Sequence, residues 1–367
     1  MVWDGEKLRS VAKDKGVSLS RLAEVLDVSR QTVNDWLRGQ VPKGHHLIEM
    51  SRLLEVRPGY FFQTDTPAPI SIPVHRKRGP AKLNERMKEE TLKMAEQYQG
   101  FFKSAPEPGI VPVMRIERRD EETVILVAKN LRELSGIDQN RPMDYDHTFR
   151  LLHTLRIATI FRQFPKNLKA YAFYCRIHGH RVVFVNCDTN VLDLIFPLLH
   201  ETVHAIRDEE NGGAPDIEEE TFCDAVSNWV QFPEEYVSLV FETVRGRNAG
   251  TLINMLKEFS IKNAHSMFGI VENLKRLDPE LNIEVGGANS NLRKLFPSIG
   301  DVLFKEQDAR AFLANLMRFS PLFFEILLNQ VQNATTRKVG EWLGLESILD
   351  TDQVLRELRR ISVEQEN

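Results

Sequence analysis

The sequence predicts a mostly helical α+β protein: an N-terminal helix-turn-helix bundle, a domain in which a small sheet packs on an H-E-x-x-H helix, and a helical C-terminal region. Three observations predict it. Between residues 7 and 60, apolar residues recur at helical spacing and are punctuated by Ser, Gly and Pro. Arg181-Val182-Val183-Phe184-Val185-Asn186 is a β-branched and aromatic run that reads as a strand. His200-Glu201-Thr202-Val203-His204 lies within an apolar helical run from Leu194 to Ile206. The expected boundaries are 1–62 for the bundle, 63–109 for a linker and helix, 110–235 for the H-E-x-x-H domain and 236–367 for the C-terminal region.

A chain of 367 residues suggests two or three domains, and a hydrophobic content of 42% is ample for packed cores. The formal charge of −4 carries no global nucleic-acid signature, so any DNA contact must be local. Cys175, Cys187 and Cys223 form neither a C-x-x-C pair nor a disulfide framework, which fits a reducing cytoplasm. The N-terminus lacks the basic and apolar regions of a signal peptide, and no apolar run approaches the ~18 residues of a membrane span. The expected location is cytoplasmic.

In the first module Leu8, Val11 and Ala12 fit one helix face. Ser18 or Ser20 can cap a second helix carrying Leu22, Ala23, Val25 and Leu26. Ser29 can cap a third, Arg30 to Leu37, which Gly39 and Pro42 end. Leu47, Ile48, Met50, Leu53 and Leu54 mark a further helix. Two short helices joined by a tight turn read as helix-turn-helix, with the second in the major groove. Arg30, Gln31 and Asn34 suit base edges there, because Arg pairs with guanine and Gln or Asn with adenine. Thr32 and Lys43 suit phosphates. The pattern S-x-x-x-L-A-x-x-L-x-V-S-x-x-T-V-x-x-W, Ser18 to Trp36, resembles the phage-repressor (XRE/Cro) family over about 55 residues. A bundle used for protein contact stays open, since residues 1–62 hold ten Lys and Arg against eight Asp and Glu.

Pro67, Pro69, Pro73 and Pro80 mark a boundary at 63–82. His75-Arg76-Lys77-Arg78 with Lys82, Arg86 and Lys88 could add phosphate contacts, or be a solvated linker. Residues 83–103 read as one amphipathic helix. Leu126 to Leu134 and Phe149 to Ile160 have helical spacing. Tyr171 to Tyr174 is strand-like, and His178-Gly179-His180 suits a hairpin turn with both histidines exposed and free of metal. An edge strand of such a sheet could hold an extended substrate.

On a helix, His200 and His204 share a face and can hold one Zn²⁺, with Glu201 as general base toward a water. Two His and a Glu in so apolar a helix need compensation for their burial. No third His follows at x-x-G-x-x-H spacing; an acidic turn, Asp208 to Asp216, precedes a second helix limited by Pro233. A carboxylate from that helix is the natural third ligand. Glu220 can reach zinc, and Asp224, at i+4, can accept from the free ring nitrogen of a liganded His. Glu218 and Glu219 point elsewhere if Phe222 and Val226 face the core. An acidic first turn also suits any solvated helix N-terminus.

The run V-F-V-N at Val183 to Asn186, then I-F-P-L-L-H-E-T-V-H at Ile195 to His204, resembles the ImmA/IrrE family of zinc metallopeptidases. So does Glu220-Thr221-Phe222-Cys223-Asp224-Ala225-Val226-Ser227, through Val230-Gln231-Phe232-Pro233. The resemblance covers roughly residues 110–235. It implies cytoplasmic, stress- or mobile-element-linked proteases that cleave a transcriptional repressor and often carry a repressor-like DNA-binding domain. It also implies His200, His204 and Glu220 as ligands and Glu201 as base. Asp224 and Ser227 depart from the family, where Asn and Ala are common, and Pro197 requires the helix to start near Asp193 to Phe196.

Tyr171, Tyr174 and Arg207 are candidate oxyanion donors; Cys187 and Cys223 are soft donors that could compete for the metal, with Cys223, off the Glu220 face, reading as core. After residue 236 apolar clusters at 252–259, 312–319 and 322–328 read as helices, Gly286 to Ser290 as a loop and Asn333 to Thr336 as a turn. The expectation is thus a DNA-binding zinc endopeptidase acting on a repressor or antitoxin-like protein. The rivals are a non-enzymatic regulator with structural zinc and a hydrolase of another amide.

Overall fold

The computed structural model describes residues 2–54, 56, 61–63, 70–71, 85–108, 118–207, 217–305 and 308–366. They fall into two compact units, Met1–Ala68 and Pro69–Asn367.

The first unit contains β1 (Val2–Trp3), α1 (Gly5–Asp14), α2 (Leu19–Val25), α3 (Arg30–Leu37), α4 (Gly44–Leu53) and β2 (Phe62–Gln63). Helix starts follow side-chain caps. The Asp4 carboxylate accepts from the amides of Glu6 and Lys7, the Ser18 hydroxyl from Arg21 and the Ser29 hydroxyl from Thr32. Ser18, rather than Ser20, is therefore the cap of α2. Leu8, Leu22, Val33, Trp36 and Met50 form the core. β1 pairs antiparallel with β2, and the Trp3 indole donates to the Trp36 carbonyl at 2.7 Å. A Cβ on Gly5 would lie 2.3 Å from the Leu37 carbonyl oxygen, so only glycine lets α1 approach the end of α3 this closely.

The second unit opens with β3 (Ile70–Ser71), α5 (Glu85–Glu96), α6 (Gln99–Lys103), α7 (Glu121–Ser135) and α8 (Tyr145–Thr154). β4 (Ile157–Arg162), β5 (Ala172–Ile177), β6 (His180–Asn186), α9 (Ile195–Arg207) and α10 (Ile217–Gln231) follow. The sheet order is β3-β5-β6-β4, with β4 parallel to β6 and the other pairs antiparallel. Alternation along the strands sends Val183 and Val185 to one face and Val182 and Phe184 to the other. The first face is covered by α7, α8, α9 and α10.

The chain continues through α11 (Glu234–Val244), α12 (Ala249–Asn263), α13 (Met267–Leu277), α14 (Gly286–Arg293) and α15 (Ile299–Phe304). It ends with α16 (Ala309–Phe319), α17 (Pro321–Gln330), α18 (Thr336–Leu343) and α19 (Ile348–Glu366). Helices α16 to α19 join α5 and α6 on the second face of the sheet, while α11 to α14 enclose a satellite core. Both faces are thus buried, which explains strands with almost no polar alternation.

Four expectations are corrected. Residues 83–103 are not one helix: Tyr98, 1% exposed, sits at a break that turns Phe101 and Phe102 into the core. The helical reading of Phe149 to Ile160 fails after Thr154. Arg156 takes φ 54° and a strand starts at Ile157, because a short, fully buried apolar run reads the same as helix or strand. Gly286 to Ser290 is the start of α14, not a loop; Asn289 is buried and its Oδ1 accepts from the Met267 amide at 2.9 Å. The turn at His178 and Gly179 has positive φ at both residues, as a two-residue hairpin requires, but His180 is buried rather than exposed. Its ring lies 5.2 Å from that of Phe102, and burial lowers its pKa to about 4. No helix among the described residues is long and apolar enough to cross a membrane.

Candidate functional site

Helix α9 begins at Ile195, so Pro197 falls in the first turn, where its missing N–H costs no hydrogen bond. The rest of the helix is buried on nearly every side, including His200 at 0% and Glu201 at 1% exposure. Helix α10 packs along it and brings Glu220 to the two imidazoles. His200 Nε2 lies 3.1 Å from His204 Nε2 and 3.4 Å from Glu220 Oε2, and His204 Nε2 lies 3.2 Å from Glu220 Oε1. A tetrahedral Zn²⁺ with ligand bonds of about 2.0–2.1 Å sets its ligand atoms about 3.3–3.4 Å apart. The three donors therefore fit one such ion with a fourth position left over. The choice of residue types, two imidazoles and a carboxylate, suits the same metal.

The surrounding groups orient this cluster. Asp224, one turn beyond Glu220, holds His200 through Nδ1 at 2.9 Å, leaving Nε2 toward the other donors. Burial opposes a charged His200, but hydrogen bonds to Asp224 and Glu220 outweigh it and raise the pKa to about 9. Glu220 feels burial too, yet its hydrogen bonds with both histidines hold the carboxyl well below its ordinary range. The Glu201 carboxylate turns to β5: Oε2 accepts the Tyr174 amide at 2.8 Å, while Oε1 is buried without a hydrogen-bond partner. Burial raises the Glu201 pKa above the ordinary carboxylate range.

The sequence did not point to the Tyr174 contact. Tyr174 acts through its backbone, which carries no residue-type signal. Cys223 is buried in the core as read, but its Sγ also lies 3.6 Å from His204 Nδ1 and 3.7 Å from Glu219 Oε1. Glu219 points away from the three-donor cluster to Arg119 at 2.9 Å and to Arg207, and Glu218 reaches Arg119 at 3.4 Å. His204, Glu219 and Cys223 form a second group of possible metal donors, but the Arg207 guanidinium paired with Glu219 opposes a cation there. Tyr174 is a core side chain; Tyr171 lies on the cleft that Asp224 also lines. Cys187 lies against Gly300, where an added Cβ would come within 3.0 Å of its own, and takes no part in the donor cluster. The acidic turn at Asp208 to Asp216, and His75 to Arg78 with Lys82, lie outside the described residues.

In the first unit α3 exposes Arg30, Gln31 and Asn34 at its N-terminal half, with Thr32 half-buried. The Gln31 amide donates to Asp35 at 3.0 Å, and the Thr32 hydroxyl meets that of Ser29 at 2.9 Å. Lys43 is exposed at the start of α4. Arg38, at the end of α3, is exposed too and was not singled out from the sequence. A helix-turn-helix family model, of the XRE type, matches residues 8–61. This unit is a DNA-binding helix-turn-helix domain. No curated protein and no solved structure matches the chain.

Proposed function

We propose that the second unit is a zinc metallopeptidase, of the kind the ImmA/IrrE resemblance implies, which cleaves a repressor or antitoxin-like protein. The observation that carries this reading is the three-donor cluster of His200, His204 and Glu220, at 3.1–3.4 Å separations, with a buried Glu201 carboxylate one residue beyond the first ligand. Bound Zn²⁺ would supply Lewis acidity, lowering the pKa of a water toward neutrality and polarising the peptide carbonyl.

Glu201 takes the proton of the attacking water through its unpartnered Oε1, while Oε2 stays fixed by the Tyr174 amide. Water oxygen bonds to the carbonyl carbon, the C–N bond breaks, and Glu201 passes the proton to the leaving amine. Asp224 keeps His200 in the tautomer that presents Nε2. The DNA-binding unit would bring the peptidase to operators where repressors sit. A structural site needs no base, so the free oxygen of Glu201 favours the enzyme over the non-enzymatic regulator.

The test is incubation of the full chain, loaded with zinc, with repressor-like proteins encoded beside its gene, followed by mass spectrometry. The expected result is a single chelator-sensitive cut. Zinc-replete protein that leaves every such partner intact while retaining operator binding supports the non-enzymatic regulator instead.

A further inference from the structure

Helices α10 and α13 and the first turn of α9 enclose an open cleft of about 450 Å³. We propose that this cleft is a side-chain subsite for a lysine or arginine of the peptide substrate, a reading that rests on the metallopeptidase assignment. The cleft opens beside the donor cluster, because Asp224 belongs to both: it holds His200 and lines the cleft. Thr221 and Pro197, also in the lining, flank Glu220 by one residue and His200 by three.

The walls match a long side chain with an apolar stem. Leu192, Phe196, Pro197, Phe232 and Phe268 supply carbon, and Phe268 is 52% exposed, an aromatic left open to solvent. The polar groups favour a donor head. Glu272 is exposed on the rim, Asp224 presents a second carboxylate, and Asp193 a third that is paired with Arg293 at 2.9 Å. Arg276 is the cation of the lining, and its guanidinium lies over the Trp229 ring at 5.8 Å. Asn228 is 7% exposed, and its Oδ1 has no hydrogen-bond partner, which leaves a buried acceptor to be met by a ligand donor. An anionic side chain would meet three carboxylates, and a purely apolar one would leave that acceptor unmet. The shape depends on Gly269, where a Cβ would lie 2.4 Å from the Phe232 ring and 3.3 Å from Asn228 Oδ1. Glycine there lets α13 approach α10 and fixes the depth between them.

The experiment uses the full chain with Glu201→Gln, loaded with zinc so that peptides bind without turnover. Three capped pentapeptides with central lysine, norleucine or glutamate are titrated and followed by ligand-observed NMR. Lysine should bind roughly fivefold or more tightly than norleucine, and glutamate most weakly. Glu272→Gln and Asn228→Ala should each shrink the lysine-to-norleucine ratio, the first by weakening lysine and the second by weakening lysine while relieving norleucine of the unmet acceptor. Equal affinity for lysine and norleucine, or no binding of any peptide at millimolar concentration, overturns the proposal. A lysine preference that survives both substitutions is a whole-protein charge effect and also overturns it. Zinc content is measured on the same sample. A site-dependent lysine preference in protein that holds no zinc upholds the cleft and removes the peptidase reading; zinc retained without the preference does the reverse.

Discussion

Helices α3 and α9 both carry polar side chains at stated positions, yet they treat them oppositely. In α3 Val33, Trp36 and Leu37 are buried, and Arg30, Gln31 and Asn34 stand in solvent. In α9 the polar residues are themselves the buried ones, at 0% for His200 and 1% for Glu201. An exposed polar face leaves folding untouched, so α3 needs only an apolar stripe and a cap. A buried ionisable pair must find partners or lose stability. Helix α9 is therefore tied to α10 through Glu220 and Asp224, and to β5 through the Tyr174 amide. Substitutions in α3 should change what the protein binds and little else. Substitutions in α9 and its partners should change chemistry, metal and stability together unless they keep shape and hydrogen bonding.

Glu201→Gln is the sharpest break of this contrast. Its amide oxygen can still accept from Tyr174, so fold and zinc should persist, while cleavage should fall by roughly 10²–10⁴-fold. Zinc analysis and single-turnover cleavage on one preparation check it; full proteolysis by zinc-replete Glu201→Gln protein would remove Glu201 from the mechanism.

Acid should separate the two units next. His265 is fully buried, with Nε2 2.8 Å from the Tyr236 hydroxyl, and burial lowers its pKa to about 4; His180 is lowered likewise. A folded pKa below the unfolded value of about 6.5 favours the neutral ring. The stabilisation is thus complete above about pH 6.5 and is lost as pH falls toward 4, on the order of 3 kcal/mol for His265. In the first unit His45 is exposed and His46 only half-buried. Hydrogen exchange read segment by segment should show α11 to α13 loosening across this window before α1 to α4. The reverse order would contradict the assignment.

Asp224→Ala should weaken zinc affinity roughly 10- to 100-fold, because His200 loses the group that fixes its tautomer. Competition against a chromophoric chelator measures it, and unchanged affinity would make Asp224 a bystander. In the first unit Arg30→Ala or Gln31→Ala should cost about 1–3 kcal/mol of discrimination between operator bases, with no change in zinc. Binding curves on point-mutated operators test this. The smallest effect is Lys43→Ala, which should weaken all sequences alike and lower the salt slope by about one. A sequence-selective loss would move Lys43 from the phosphates to the bases.

The sequence alone determined the helix start at Ser29, narrowed that of α2 to Ser18 or Ser20, and determined the strand at Arg181 to Asn186, the hairpin at His178-Gly179, and the i,i+4 pairing of His200 with His204 and Glu220 with Asp224. These are local: a cap, a positive φ or a helical face is fixed by neighbours a few residues away. Tertiary structure alone decided the rest. It made Ile157–Arg162 a strand, because a neighbouring β6 was there to pair with it and helices lay on both faces. It buried His180 under Phe102, set α16 to α19 behind the sheet, and aimed a backbone amide of β5 at Glu201. It also brought Glu220 within 3.4 Å of both imidazoles, across a chain segment whose length says nothing about where α10 lands. Side-chain type and spacing encode which groups can share a helix face; only long-range packing between helices and sheet decides which faces meet.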